Sequence, residues 1–123
     1  MSQSLMTKIS FLIRKGPYGT SEIKEAMDVI LTALTLDMHV TVVFIDDGVW
    51  QLKSGQNSAA VQEKNYTSTF KALSEFGDVK IYGESESLIE RDLVIDDLIL
   101  PVHELNRNAI AQLLSEQDLL FTL

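Results

Sequence analysis

The amino-acid sequence predicts an α/β fold of three layers, in which helices cover both faces of a mainly parallel five-stranded sheet. Short apolar runs alternate with stretches of helical periodicity along the chain, and such alternation is typical of parallel sheets. The clearest run, 39–45, is β-branched and nearly all apolar, as expected of a strand covered on both faces. The chain has 123 residues, of which 46% are hydrophobic, so we expect one domain, 1–123, with its own core and with residues 1–6 frayed.

The first half of the chain is predicted to form a strand, a helix and a second strand. The first strand covers Lys8–Ile13 and is followed by a glycine turn at 16–19. Thr20 or Ser21 can cap the helix that comes next. Apolar residues at helical spacing mark the inward face of this helix: Ile23, Met27, Ile30, Leu31 and Leu34. The second strand is the apolar run 39–45.

The second half is predicted to continue the alternation after a long polar loop, and loops of this length are often functional. A helix is indicated by a stripe of large apolar residues: Tyr66, Phe70, Leu73 and Phe76. The remaining elements are predicted as a strand over 79–82, a helix over 85–91, a strand within 95–100, a helix over 102–116 and a strand over 118–123. The inward residues of the helix over 102–116 are predicted to be Leu105, Ala109, Leu113 and Leu114.

The composition excludes several classes of function. The chain has no cysteine, which rules out disulfides, thiolate metal sites and a cysteine nucleophile. The net charge is −8 and the ten basic residues are scattered, which opposes direct binding of nucleic acid. No signal peptide and no apolar stretch of membrane-spanning length is recognisable, so we expect a cytoplasmic protein without a membrane anchor.

Polar residues gather where the predicted strands end, which is where parallel sheets place their ligand and contact sites. These strand ends carry Arg14 and Lys15, Asp46 and Asp47, and Tyr82 and Gly83. Adjacent aspartates point in different directions, so a turn with Gly48 in which they cap backbone amides is favoured over a metal site. The turn before Thr20 lacks the spacing of a nucleotide-binding loop, and a tight turn with a threonine cap is favoured there. We therefore expect no cofactor and no metal.

Histidine and tryptophan are the remaining residue types that could have a functional role. His39 and His103 have no serine or carboxylate at a recognisable spacing, so a structural role is favoured over catalysis. Trp50 is the single tryptophan and is predicted to lie in a loop, where it either folds onto the core or serves an interface.

Several segments of the chain form a recognisable set: Arg14-Lys-Gly-Pro-Tyr-Gly-Thr20, Phe44-Ile-Asp-Asp-Gly-Val-Trp-Gln-Leu52, Gly55-Gln56, Asn65-Tyr66 with Phe70-Lys-Ala-Leu73, Ser87-Leu88 with Glu90-Arg91, and Asp118-Leu-Leu-Phe121. In their order and spacing, these segments together resemble the TusC/DsrF family. The block around Asp46, with its Asp-Asp-Gly-Val-aromatic-Gln-Leu pattern, is the most specific of them. The similarity runs from about residue 9 to residue 123.

This resemblance implies a DsrE-like fold, with flavodoxin-like layering, and a place in a hetero-oligomeric sulfur-relay complex. The expected partners are TusD/DsrE-like and TusB/DsrH-like sister subunits. Together with this chain they are expected to form a hexamer that contains two copies of each of the three subunits. A TusE/DsrC-like sulfur acceptor is expected as an indirect partner. Such complexes serve either 2-thiolation of the wobble uridine in tRNA, which we favour, or cytoplasmic sulfur oxidation.

The chain differs from its sister subunits at one informative place. The resemblance implies that the persulfide cysteine of the TusD/DsrE-like subunit lies just after the third strand, where this chain reads Tyr82-Gly83-Glu84-Ser85. A hydroxyl cannot replace a thiolate in persulfide chemistry. We therefore predict a subunit without catalytic residues, whose role is architectural. The interface candidates are Val49, Trp50, Gln51, Leu52 and Tyr18.

Two other interpretations stay open. One is a ligand-binding domain of the flavodoxin or receiver type that uses Asp46, Asp47 and the glycine turn. The other is a stand-alone homo-oligomer of the same fold.

Overall fold

Five strands pair into one parallel sheet in the computed structural model, which describes residues 7–16, 22–53, 79–98 and 102–122. The strands are β1 (Lys8–Ile13), β2 (His39–Phe44), β3 (Val79–Glu84), β4 (His103–Leu105) and β5 (Leu119–Thr122). Their order in the sheet is β4-β3-β2-β1-β5, and each neighbouring pair is parallel. The predicted α/β class and five-stranded parallel sheet are confirmed.

The described helices lie on both faces of this sheet. They are α1 (Glu22–Thr35), α2 (Ser85–Glu90) and α3 (Arg107–Ser115), and two 3₁₀-helices cover Asp46–Leu52 and Ile95–Asp97. Met27 and Ile30 of α1 pack into the core with Phe11 and Val42. Leu113 of α3 instead borders the opposite face, which carries the alternate residues of each strand. The three layers follow from this arrangement.

The strands become more exposed from the centre of the sheet to its edge. β2 is the central strand, and its residues from Val40 to Phe44 are all buried. This explains its nearly unbroken apolar sequence, since both of its faces are covered. β5 is an edge strand, and all four of its residues are exposed even though three of them are large and apolar.

Several of the sequence predictions need correction. The segment 95–100, in which the fourth strand was predicted, does not supply it in its described part: Ile95–Asp97 is a 3₁₀-helix, and Leu98 forms an isolated antiparallel bridge with Lys53. The fourth strand is His103–Leu105, which was assigned to a helix. It is a short edge strand with exposed residues, so it lacks the apolar run by which strands are recognised.

The correction at His103–Leu105 also shortens the last helix. α3 begins at Arg107, because the side chain of Asn106 accepts a hydrogen bond from the Ala109 N–H at 2.8 Å and caps the helix. Its buried residue is Ile110, whereas Leu113 and Leu114 are half-buried.

In the first helix, Leu31 was predicted to face inward but is 44% exposed. A helix turns by about 100° per residue, which places Leu31 beside the inward stripe of Met27 and Ile30 instead of on it. The third strand is also longer than predicted and runs to Glu84. The predicted helical stripe at Tyr66, Phe70, Leu73 and Phe76 lies outside the described residues, as does Tyr18.

Gly48 is held by a close approach of two backbone segments. A Cβ atom at this position would lie 2.0 Å from the carbonyl oxygen of Ile13 and 2.7 Å from its carbonyl carbon. The same carbonyl oxygen accepts a hydrogen bond from Ile45 N–H at 3.0 Å, so the turn after β2 is tied to the end of β1. A larger residue at position 48 would therefore push the two segments apart.

We expect Gly48→Ala to lower the free energy of unfolding by about 3 kcal/mol, the upper part of the range for overpacked sites. Gly16→Ala is the matched control, since its Cβ would meet its nearest neighbour, the Asp47 carbonyl oxygen, at an ordinary 3.8 Å. That control should stay within about 0.5 kcal/mol of the wild type. Urea denaturation measures both variants, and equal stability of the two would contradict the close approach at Gly48.

Candidate functional site at the carboxyl edge of the sheet

The carboxyl ends of the central strands carry a connected group of charged side chains. β2 leads into the 3₁₀-helix at Asp46–Leu52, and β3 ends at Glu84, from which α2 continues directly. Arg107 begins α3 just beyond the end of β4. Parallel pairing brings these segments to one edge of the sheet although they are distant in sequence.

The Glu84 carboxylate lies at the centre of this group, and its residue is only 3% exposed. Arg107 donates from Nε to Oε2 at 3.1 Å and from Nη2 to Oε1 at 3.2 Å. The Ser87 hydroxyl donates a third hydrogen bond, to Oε1. A buried carboxylate is costly unless its charge is neutralised and its oxygens are hydrogen-bonded, and both conditions are met here.

Ser87 links the carboxylate to the neighbouring strand. Its Oγ accepts a hydrogen bond from the Asp46 N–H at 2.8 Å while its hydroxyl donates to Glu84. Asp46 begins the 3₁₀-helix with a positive φ of 50°, so its amide is held in an unusual backbone conformation. One buried hydroxyl therefore joins the end of β2 to the end of β3.

Further contacts surround this centre at the surface. Arg91 donates from Nε to Asp47 Oδ1 at 3.1 Å and from Nη1 to the Ser87 carbonyl oxygen at 3.2 Å. Arg14 Nε donates to Asp46 Oδ2 at 3.2 Å. These exposed ion pairs each contribute little to stability, but they orient side chains next to the buried Glu84 carboxylate.

The electrostatics keep Glu84 ionised at neutral pH. Burial alone would raise the pKa of its carboxyl, but hydrogen bonds from Arg107 and Ser87 and the charges of Arg107 and Arg91 together leave that pKa below its ordinary value. The hydrogen bond to Glu84 and the carboxylate's charge in turn raise the pKa of the Arg107 guanidinium.

The structure assigns Asp46 and Asp47 to ion pairs at the start of the 3₁₀-helix. The prediction of a turn that contains Gly48 agrees with this position, but the carboxylates contact Arg14 and Arg91, whereas backbone capping was expected of them. Within the described ranges, no group of three metal-ligating side chains is assembled. The two aspartates thus connect the start of this 3₁₀-helix to the arginines that follow β1 and α2.

The interface candidates at positions 49–52 differ in their burial. Val49, Gln51 and Leu52 are fully buried in the chain's own core, and the Gln51 amide donates to the Lys15 carbonyl oxygen at 3.2 Å. Trp50 is half-buried and packs against the core with part of its surface open. Within this segment, Trp50 is therefore the residue left to form the predicted subunit contact, and for Trp50, as for Tyr18, that contact stays a prediction.

Tyr82 and Gly83 lie within β3, two residues and one residue before the strand ends at Glu84. The Tyr82 ring is on the α3 face and lies 5.6 Å from the ring of His103, its register partner on β4. Gly83 is buried, on the opposite face. The residue that occupies the strand end is Glu84, which the sequence analysis did not select.

Glu84 and Arg107 could have been found from two signals. An acidic residue closes an apolar strand, and an arginine opens a helix 23 residues later. The pairing itself depends on β3 and β4 being neighbours, which sequence periodicity does not reveal. Chemically, the site offers a buried carboxylate, paired with an arginine whose side chain is largely exposed, and a serine hydroxyl that is already engaged in hydrogen bonds.

Comparison with known proteins places this architecture in a family. The model described as "DsrE/DsrF-like family" matches residues 7–123. "Intracellular sulfur oxidation protein DsrF" of Allochromatium vinosum is 39% identical over 95 residues, which are 77% of this chain and 70% of that protein. "Protein TusC homolog" of Pseudomonas aeruginosa is 36% identical over 123 residues, the full length of both.

Solved structures agree on the fold. The ychN protein from E. coli superposes with a TM-score of 0.78 over 96% of this chain and 100% of that one, at 16% identity. A Methanobacterium thermoautotrophicum protein of unknown function gives a TM-score of 0.68 over 95% and 99%, also at 16% identity. In the described part of this chain, no helix has the length and apolar character needed to cross a membrane.

We expect Glu84→Gln to lower the free energy of unfolding by about 1–3 kcal/mol at pH 7, because a charge-assisted buried contact is weakened. The pKa of Glu84 is lower in the folded state than in the unfolded state, so its ionised carboxylate stabilises the fold. This stabilisation is fully present above the unfolded pKa of about 4.3 and is lost as the pH falls through the pKa of the folded state. Denaturation at pH 7 and pH 3 measures the effect. The gap between variant and wild type should narrow at pH 3.

Glu25→Gln, on the exposed side of α1, is the control and should change little at either pH. A gap that is equally wide at both pH values would show that the charge of Glu84 is not what stabilises the edge.

Proposed function

The chain belongs to the DsrE/DsrF-like family, and on that basis we propose that it is a non-catalytic subunit of a cytoplasmic sulfur-relay complex. The observation that carries the proposal is the absence of cysteine from all 123 residues, combined with a buried, ion-paired Glu84 at the end of the third strand. The resemblance puts the persulfide cysteine of the sister subunit at that strand end. A thiolate is the group that accepts sulfane sulfur, so the sulfur must be carried by another chain.

The proposed assembly contains TusD/DsrE-like and TusB/DsrH-like subunits in a heterohexamer that delivers sulfur to a TusE/DsrC-like acceptor. In this assembly the chain acts as a scaffold. The network around Glu84 fixes the carboxyl edge of the sheet, and a fixed edge can hold a catalytic neighbour in one orientation. Trp50, with its partly open ring next to this edge, is the proposed anchor of the contact.

The process served is proposed to be 2-thiolation of tRNA, with no direct contact between this chain and nucleic acid. The relative named as a TusC homolog, which matches along its full length, supports this choice. The relative named for intracellular sulfur oxidation supports the alternative, a DsrF-type subunit. A homo-oligomer or a flavodoxin- or receiver-like ligand-binding domain is the competing hypothesis for the chain alone.

We expect the purified chain to gain no sulfur when it is incubated with a low-molecular-weight persulfide, because it offers no thiolate. Intact-mass spectrometry with and without reductant measures this. Ser85→Cys, which places a thiol at the same strand end, serves as the positive control for the labelling chemistry. A stoichiometric, reductant-sensitive adduct on the unmodified chain would contradict the proposal.

We expect Trp50→Ala to weaken assembly with the sister subunits by about 2 kcal/mol or more, as for an aromatic anchor. Titration of the two sister subunits, followed by analytical ultracentrifugation, measures the effect. Val49→Ala is the matched control from the same segment: it is fully buried, so it should reduce folding stability and leave the assembly of folded chains unchanged.

Thermal melts separate this proposal from the competing one. The sister subunits should raise the melting temperature of the wild type by mass action, while flavin mononucleotide, or magnesium with acetyl phosphate, should not. A shift with either ligand and none with the subunits would favour a ligand-binding domain. Loss of folding stability in Trp50→Ala without any loss of assembly would place Trp50 in the core only.

A further inference from the structure

A pocket lies at the amino-terminal edge of the sheet, opposite the candidate site, on the face covered by α3. Its volume is about 340 Å³, and it is bordered by side chains of β1, β2 and β3 and by the last turn of α3. Because a water molecule accounts for about 30 Å³ of liquid, this amino-edge pocket has room for a molecule of amino-acid size. Nothing in the sulfur-relay proposal uses it.

The sheet wall of the amino-edge pocket is basic. Lys8 pairs in register with His39, and Thr41 pairs with Lys80, so these side chains share one face of the sheet. Lys8 and Lys80 are exposed, and among the described residues neither ammonium group has an ion-pair partner. In a chain with ten lysines and arginines against 18 acidic residues, two unpaired lysines on one wall of a pocket form a local concentration of positive charge.

The opposite wall is negative. Glu116 borders the pocket at the carboxyl end of α3, and its carboxylate has one described contact, a long hydrogen bond of 3.4 Å from Gln112. The end of a helix carries a partial negative charge, and the last turn of α3 contains no basic residue that would offset it. The two walls thus have opposite sign and form no ion pair with each other within the described residues.

Walls of opposite charge across a space of this size suit a ligand that carries both charges itself. A simple anion would be attracted to the lysines but repelled by Glu116 and the helix end, and a simple cation would meet the reverse. We propose that the amino-edge pocket binds a small zwitterion of the α-amino-acid class. Its carboxylate contacts Lys8 and Lys80, its ammonium group contacts Glu116 and the end of α3, and its side chain lies towards the ring of Tyr82.

The first experiment is a thermal-shift screen of the full chain against the twenty protein amino acids, followed by calorimetric titration of the one that stabilises most. Its deaminated acid and its decarboxylated amine are titrated as matched analogues. We expect the amino acid to bind and each analogue to bind about tenfold more weakly or worse, since each lacks one charge-assisted contact. Failure of every amino acid to bind, or an acid analogue that binds as tightly as its parent, would overturn the proposal.

Two variants test whether the two walls of the pocket contact the ligand as proposed. Lys80→Gln and Glu116→Gln alter exposed side chains, so both should fold with melting temperatures close to that of the wild type. Each should weaken binding of the amino acid about tenfold, whereas Glu25→Gln on α1 should not change it. An effect of Lys80→Gln without an effect of Glu116→Gln would identify a site for anions only and would overturn the zwitterion. Because these readouts involve neither sulfur nor sister subunits, their failure leaves the sulfur-relay proposal untouched.

Discussion

A carboxylate that is buried must have its charge neutralised, and the carboxyl edge of this protein is organised around that requirement at Glu84. The Glu84 side chain ends the third strand inside the protein, where water cannot solvate it. Arg107 supplies the opposite charge from the start of another helix, and Ser87 supplies a hydroxyl that also holds the amide of Asp46. Removing any one of these groups deprives at least one of the others of a hydrogen-bond or ion-pair partner. The positions of the ends of β2 and β3 and of the starts of α2 and α3 therefore depend on one another.

A second constraint at the same edge is steric. Gly48 lets the turn after β2 approach the carbonyl of Ile13 more closely than any side chain permits. The segment that follows can therefore bury Val49 and Leu52 beside the sheet and leave Trp50 half-covered at the surface. Together with the polar network, this close packing gives the edge a well-packed surface with a partly open aromatic ring, which would suit the scaffold role that we propose.

How well each strand could be predicted from the sequence depends on the length of its apolar run, which is greatest for the buried strands. β1 and β2 were placed within a residue of their observed ends, because strands covered on both faces need unbroken apolar, β-branched runs. The edge strand at His103–Leu105 was missed because it is three residues long and has no apolar run, and the segment 95–100, to which the fourth strand was assigned, begins with a 3₁₀-helix at Ile95–Asp97. The ion pair of Glu84 with Arg107 was out of reach for another reason: it depends on which strands are neighbours, and periodicity says nothing about strand order.

The pairing of β1 with β5 has a consequence for how the chain folds as it is made. The backbone amide of Lys8 donates to the Asp118 carboxylate 110 residues later, and Phe11 stacks on Phe121 with ring centroids 5.5 Å apart. At about 5–20 residues per second, roughly 5–20 s of translation separate the two strands. During that interval the outer edge of β1 has unpaired amides and a phenylalanine without its stacking partner, so the nascent chain passes through a stage in which this edge can pair with the wrong strand. Chaperone dependence during synthesis would therefore be greatest before the last strand leaves the ribosome.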